Sequence, residues 1–115
     1  MSAHRGQLRY PITSRGQFSA GDPPVSVGVR LVDISAVGVS FSGDAVIAVG
    51  ARGRLSFAAV GISETIEASL PVTVQTCVLE RSGYRIGALF SLDDAAARAQ
   101  IERVIAVRSQ AVKGR

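Results

Sequence analysis

The sequence predicts an all-β fold closed by a C-terminal helix: a small antiparallel barrel or sandwich with the helix laid against it. Two patterns carry that reading. Between Val25 and Phe90, apolar and polar residues alternate with a period of two in several short stretches separated by turn-forming clusters. After Phe90 the period changes to 3.6 residues and stays so to Arg108. At 115 residues the chain fits a single domain. A domain of this length buries roughly two-thirds of the surface its unfolded chain exposes, enough to hold a core without cross-links.

Residues 1–10 are polar, carry Arg5 and Arg9, and precede Pro11, which reads as a mobile arm. The run Ser19-Ala20-Gly21-Asp22-Pro23-Pro24 is a loop by its turn chemistry. Val25, Val27, Val29 and Leu31 then share one face of a half-buried strand. After a bend at Ser35–Gly38 the pattern resumes from Val39 to Phe41. Leu55, Phe57 and Ala59 alternate next, and Gly61 with Ser63 marks a turn. Ile66, Ala68, Leu70, Val72 and Val74 line one face of a longer segment, in which Pro71 implies an edge position or a bulge. Glu80-Arg81-Ser82-Gly83 forms a hairpin loop, followed by the strand positions Tyr84, Ile86, Ala88 and Phe90. Ser91 with Asp94 three residues on matches a capping box. The helix behind it presents Ala97, Ile101, Val104, Ile105 and Arg108 on one stripe. The domain proper is thus expected over 11–108, with 109–115 as a frayed tail.

The composition, 47% hydrophobic and 19% charged, is ordinary for a globular protein. A lone cysteine, Cys77, excludes an internal disulfide and a multi-cysteine metal site, and its apolar neighbours predict a buried thiol. No stretch is long and apolar enough to span a membrane, and the opening residues do not read as a signal peptide, so the cytoplasm is the expected location. Twelve of the thirteen basic residues are arginine, against nine acidic ones, for a net charge of +4. Arginine favours planar, bidentate recognition of phosphates and guanine edges. These arginines are scattered rather than gathered in a stripe with interleaved aromatics, which argues against DNA or RNA as the partner. A barrel that binds RNA would need aromatics free to stack bases, whereas Phe57, Tyr84 and Phe90 sit on the apolar face of their strands.

Catalysis has little to work with. His4 is the only histidine, which argues against a Ser-His-Asp triad and a multi-histidine metal site. Asp93 and Asp94 fall at the helix start, where negative charge suits the dipole, and read as capping residues rather than an acid/base pair. No glycine-rich phosphate loop precedes a helix. No enzyme, metal or resident cofactor is expected.

Two constellations remain. Arg5-Gly6-Gln7-Leu8-Arg9 is an R-x-x-x-R in the arm, and Asp33-Ile34-Ser35-Ala36-Val37-Gly38 is a D-x-S-x-x-G at the end of the first strong strand. A guanidinium can donate to the O6 and N7 edge of guanine or to a phosphate, and can stack on a base. A carboxylate can accept from guanine's Watson–Crick N–H groups, a hydroxyl can serve either role, and glycine admits close backbone approach. Each motif alone is equally well a solvated arm or an Asx or ST turn.

The order R-x-x-x-R, then strand, then D-x-S-x-x-G resembles the PilZ domain signature. Arg85-Ile86-Gly87-Ala88-Leu89-Phe90 resembles that family's last strand, running into an acidic turn and a C-terminal helix. The likeness covers roughly residues 4–106. It implies a six-stranded antiparallel barrel with a helix near one end, binding cyclic di-GMP and signalling to an effector protein in exopolysaccharide, secretion or motility machinery. By that resemblance Arg5 and Arg9 grip guanine and phosphate, while Asp33, Ser35 and Gly38 form the barrel side of the site. His4 and Arg85 are further candidates. Many relatives carry an arginine where this chain has His4, and a glycine pair where it has Val37-Gly38. The first departure bears on whether one dinucleotide or two are held. The alternative is a PilZ-like adaptor that works by protein contacts without nucleotide.

Overall fold

A computed structural model describes residues 8–113. Seven strands and one helix follow in chain order: β1 (Tyr10–Pro11), β2 (Arg15–Ala20), β3 (Val25–Ile34), β4 (Gly38–Gly43), β5 (Arg52–Val60), β6 (Thr65–Glu80), β7 (Gly83–Phe90) and α1 (Ala95–Lys113). Every pairing is antiparallel, and the sheet runs β3-β2-β5-β6-β7-β4 before β4 returns to β3 and closes a six-stranded barrel. The short β1 is an extra strand on β3, bonded beside Asp33 and Ile34. Tyr10 therefore belongs to the sheet, and the helix runs five residues past Arg108, through Lys113.

The alternating residues read from the sequence fill the interior. Leu31, Ile34, Phe41, Leu55, Leu70, Val74 and Ile86 are essentially inaccessible, and Phe18 stacks near Phe41 with ring centroids 6.1 Å apart. Cys77 is half-buried against this core rather than enclosed by it. Phe57 and Phe90 are buried and Tyr84 packs half-buried, so no aromatic side chain stands free to stack a base.

Strand β2 has no counterpart in the sequence reading. Its inward positions are Gly16, Phe18 and Ala20, so two of three carry almost no side chain and the period is hidden. The reason is crowding at closure: a Cβ on Gly16 would lie 2.6 Å from the Ser56 carbonyl oxygen and 3.0 Å from a Leu31 methyl. Pro71 sits where β6 changes partner, paired with Arg54 of β5 but one residue short of the register with β7. Its carbonyl accepts from the Ser91 N–H. Backbone N and O of one strand residue point the same way, so the missing N–H faces past the end of β7. That is a local edge.

Two β-bulges break the alternation. In β3 the register against β4 shifts between Leu31 and Asp33, leaving Val32 as the extra residue. Leu31 and Ile34 can then both face the core, three residues apart, while Asp33 is turned outward. In β6 a second shift falls between Val74 and Thr76, sending Gln75 and Thr76 outward and Cys77 inward. The turn joining β3 to β4 is tied by Ser35, whose N–H donates to the Gly38 carbonyl at 2.8 Å. The buried Ser35 hydroxyl accepts from the N–H groups of Val37 (3.3 Å) and Gly38 (3.2 Å). Gly38 is required here because a Cβ would come within 2.7 Å of the Ala88 carbonyl oxygen on β7.

The capping box expected at Ser91 and Asp94 is corrected by one turn. Asp94 is itself the N-cap, its Oδ1 accepting from the N–H groups of Ala96 (2.9 Å) and Ala97 (3.2 Å). Ala97, Ile101, Val104 and Val107 make the buried stripe, with Ile105 at its margin. Arg108 is no stripe member: its guanidinium donates to the carbonyls of Pro11 and Val60, pinning the helix to β1 and to the end of β5. Gln100 Oε1 accepts from the Ser69 N–H at 3.0 Å, so α1 also satisfies the edge of β6 that β7 does not reach.

Asp94→Ala removes both capping bonds and is expected to cost about 1 kcal/mol. That is a fall of roughly 4–8 °C in melting temperature for a domain this size, measurable by calorimetry. Gly38→Ala forces β4 away from β7, with an expected loss of about 1–3 kcal/mol. Thermal melts should show this loss as a lower midpoint than the parent's.

Candidate functional site

Three elements converge at the end of the barrel where β3 turns into β4: the chain entering β1, the bulged end of β3, and the bulged middle of β6. Because Tyr10 and Pro11 pair with Ile34 and Asp33, the residue before them is delivered to the outward face of β3. Arg9 Nε lies 3.2 Å from Asp33 Oδ1, and its Nη2 donates to the Ser40 hydroxyl at 3.3 Å. The Arg9 side chain is 45% exposed and that of Asp33 27%. This contact is Coulombic rather than a directed hydrogen bond. The Arg9 N–H is not aimed at the carboxylate, and among the described residues the buried Asp33 Oδ1 has no hydrogen-bond donor. A buried carboxylate oxygen left without a donor is costly, so Asp33 Oδ1 is open to a donor that the described residues do not supply.

Beside this pair opens a cleft of about 340 Å³. Arg9 forms one wall; Gly38, Val39, Gln75, Gly87 and Leu89 supply much of the rest. Its floor is low because Gly38 and Gly87 face it without side chains. At Gly87 a Cβ would meet the Thr76 hydroxyl at 2.7 Å, the group that already accepts the Gly87 N–H at 3.1 Å. The result is a shallow, partly apolar groove with a half-exposed guanidinium and a carboxylate at its rim. Flat aromatic bases with polar edges fit such a surface.

The predicted site residues divide by task. Arg9 and Asp33 are brought together, Arg9 half-exposed and Asp33 largely covered beside it. Ser35 and Gly38 are brought to the same place, but the Ser35 hydroxyl is fully engaged in the turn and Gly38 serves the close approach to β7. Arg85 faces outward on β7 two residues from Gly87 and outside the cleft, pairing with Glu80 at 3.5 Å. Arg5 and His4 lie outside the described residues. Ser40, Gln75 and Thr76 were not read from the sequence. The available signal was the polar pair Gln75-Thr76 between the inward-facing Val74 and Cys77, a spacing that strict alternation forbids and a bulge explains. Among the described residues no cluster of metal-ligating side chains is present, and no helix is long and apolar enough to cross a membrane.

Comparison with curated protein sequences finds no match. Solved structures with the same fold include the Bacillus subtilis inhibitor of motility MotI/DgrA, at 17% identity and a TM-score of 0.72 over 96% of this chain and 53% of that one. The chain thus spans about half the length of that protein. The PilZ domain of YcgR from Escherichia coli, solved with cyclic di-GMP, matches at 14% identity and a TM-score of 0.66, over 96% and 94% of the two chains. The PilZ domain of CeSA from a cellulose-synthesizing bacterium matches at 15% identity and a TM-score of 0.61, over 85% and 94%. In sequence, the model of the PilZ domain matches residues 2–106, both motifs and the whole barrel included, and the chain belongs to the PilZ domain family.

Proposed function

We propose that this chain is a cyclic di-GMP receptor domain without catalytic activity. It acts in the cytoplasm and signals to a partner protein when the ligand orders its N-terminal arm. The observation that carries this reading is the orphaned Asp33 Oδ1 beside a half-exposed Arg9 at the rim of a shallow cleft. Guanine offers what that carboxylate lacks, the N1–H and N2–H donors, together with O6 and N7 acceptors suited to a guanidinium. Ligand entry would turn Arg9 from Asp33 toward base or phosphate and leave Asp33 to the Watson–Crick edge. Arg5, four residues before Arg9, would add a second cation; His4 would add a weaker contact. Ser35 and Gly38 act by holding the turn that aims Asp33, and Arg85 remains a neighbour of the cleft.

The energetics support a sensor of micromolar range. Fixing each arm residue costs roughly 1–2 kcal/mol of backbone entropy. A good bidentate guanine contact returns about 1–3 kcal/mol. Part of the cost is already met, since β1 and the Arg9–Asp33 pair place the arm's last residues before ligand arrives. A net of about −8 kcal/mol corresponds to 1 μM. The resemblance to YcgR, solved with cyclic di-GMP, supports the ligand. The inhibitor MotI/DgrA supports motility machinery as one class of effector.

Isothermal titration tests the ligand directly. Cyclic di-GMP should bind at micromolar affinity or better and cyclic di-AMP much more weakly; equal affinities would remove the guanine-reading argument. No binding of either would leave the adaptor that works by protein contacts alone. Arg9→Ala should abolish binding while moving the melting temperature little, because the side chain is half exposed and its ion pair is a surface one. Asp33→Asn should weaken cyclic di-GMP more than cyclic di-AMP.

One dinucleotide per chain, or a second held weakly, is expected, since a neutral imidazole at His4 cannot match a permanent bidentate cation. His4→Arg should raise the stoichiometry toward two. Hydrogen exchange over residues 1–10 should slow on ligand addition. Equal protection with and without ligand would exclude ordering of the arm as the signal.

A further inference from the structure

Away from the dinucleotide cleft, the strand register sets arginines side by side on the outer face. Arg15 of β2 is directly opposite Arg30 of β3, and Arg30 is opposite Ser42 of β4. Both arginines are exposed, and among the described residues neither makes an ion pair or a side-chain hydrogen bond. Like charges opposite each other across strands destabilise a sheet, so the fold gains nothing from this pair.

The two arginines line a groove of about 840 Å³ that also includes Gln17, Gly28, Ser56 and the tip of the β6–β7 hairpin. Gly28 is the second anomaly. It lies mid-strand without a positive φ, and a Cβ there would meet nothing within 4 Å. Neither backbone conformation nor packing calls for glycine, which costs a strand stability relative to alanine. Its absent side chain keeps the groove clear between its open side and Arg15.

The third observation is the edge itself. Strand β4 pairs with β3 only from Arg30 onward and its last residue, Gly43, abuts Gly28 and Val29, so among the described residues Val25–Val27 pair with β2 and leave their other backbone edge without a partner strand. Val25, on the opposite face from Gly28 and Arg30, is 68% exposed. An edge of this kind accepts an added strand.

We propose that this groove docks an extended acidic segment of a partner protein, which adds to the free edge of β3 as a further strand. Side chains of such a strand alternate between faces. Carboxylates at alternate positions reach across Gly28 to Arg15 and Arg30, and aliphatic residues between them pack on Val25 and Val27. Glu80 on the far wall is engaged with Arg85, and Asp44 stands where β4 ends, so like charge excludes the acidic side of the peptide from that wall. The site is separate from the dinucleotide cleft and does not depend on nucleotide binding.

The test is an NMR titration of the full chain with a decapeptide of alternating valine and glutamate. Its controls are the same peptide with lysine for glutamate and the same peptide N-methylated at alternate residues. Amide shifts confined to 15–17 and 25–30, lost for both controls and fading with added salt, are expected. Arg15→Glu with Arg30→Glu, and separately Gly28→Leu, should each weaken the peptide by about tenfold or more while melting as the parent does. Gly28→Leu keeps both charges, so it reports on the groove even if the double variant proves unstable. Absence of shifts, equal binding of the lysine peptide, or indifference to both variants would overturn the proposal. So would pairing of two copies through this edge in sedimentation, or inorganic phosphate producing the same shifts.

Discussion

The structure depends on how β3 closes the barrel against β4. Closure needs Leu31 and Ile34 to enter the core together, and a regular strand cannot face both inward at a spacing of three. The extra residue Val32 resolves this, and it has a second consequence: the polar residue between them, Asp33, is ejected to the outer surface. Had β3 stayed regular, Asp33 would lie on the same face as Leu31, an unpaired carboxylate in the core. One bulge thus completes the barrel and creates the corner where Asp33 meets Arg9. The adjoining turn, tied by Ser35 and made possible by the bare Cα of Gly38, holds β4 and β7 at the separation this geometry needs.

Seen this way, the D-x-S-x-x-G motif mixes two kinds of work. Asp33 presents charge; Ser35 and Gly38 maintain the backbone that presents it. The arm motif meets it through strand pairing rather than chance, because β1 is registered on the very residues Asp33 and Ile34. The two halves face one another through Arg9 and Asp33, Arg9 also donating to Ser40 while Asp33 Oδ1 has no donor among the described residues. Such a pair is readily exchanged for a ligand that supplies a donor to one and an acceptor to the other. The helix is anchored close by, through Arg108 to the Pro11 carbonyl. The entering chain and α1 are therefore joined by a direct side-chain contact.

A barrel normally has no free edge. Among the described residues this one keeps a short stretch at Val25–Val27, because β4 ends early and the chain departs at Asp44. That stretch adjoins the Arg15–Arg30 pair, whose repulsion the fold does not relieve. The cleft beside Arg9 and Asp33 and this groove lie toward opposite ends of β3, so the two proposed contacts need not compete for surface.

Much of this was legible in the residues themselves. Alternation in Val25–Leu31, Leu55–Ala59 and Tyr84–Phe90, the period change after Phe90, and the paired motifs carried the fold class and the family, because each is a local pattern that short-range chemistry imposes. Strand β2 was not legible: two of its inward positions, Gly16 and Ala20, carry almost no side chain, and Gly16 is kept bare by the approach of β5, a neighbour some forty residues away. The helix cap was misplaced by three residues because Ser91 and Asp94 both suit a helix start. Only the tertiary path, in which the Ser91 N–H is spent on Pro71, selects Asp94. The sequence by itself determined which residue types could meet a guanine-bearing anion. Only the tertiary structure decided that Asp33 faces out while Ser35 is sealed in the turn, that Gln75 and Thr76 join the cleft, and that Arg15 meets Arg30. Those outcomes rest on strand register and bulges, which are set by pairing partners distant in the chain.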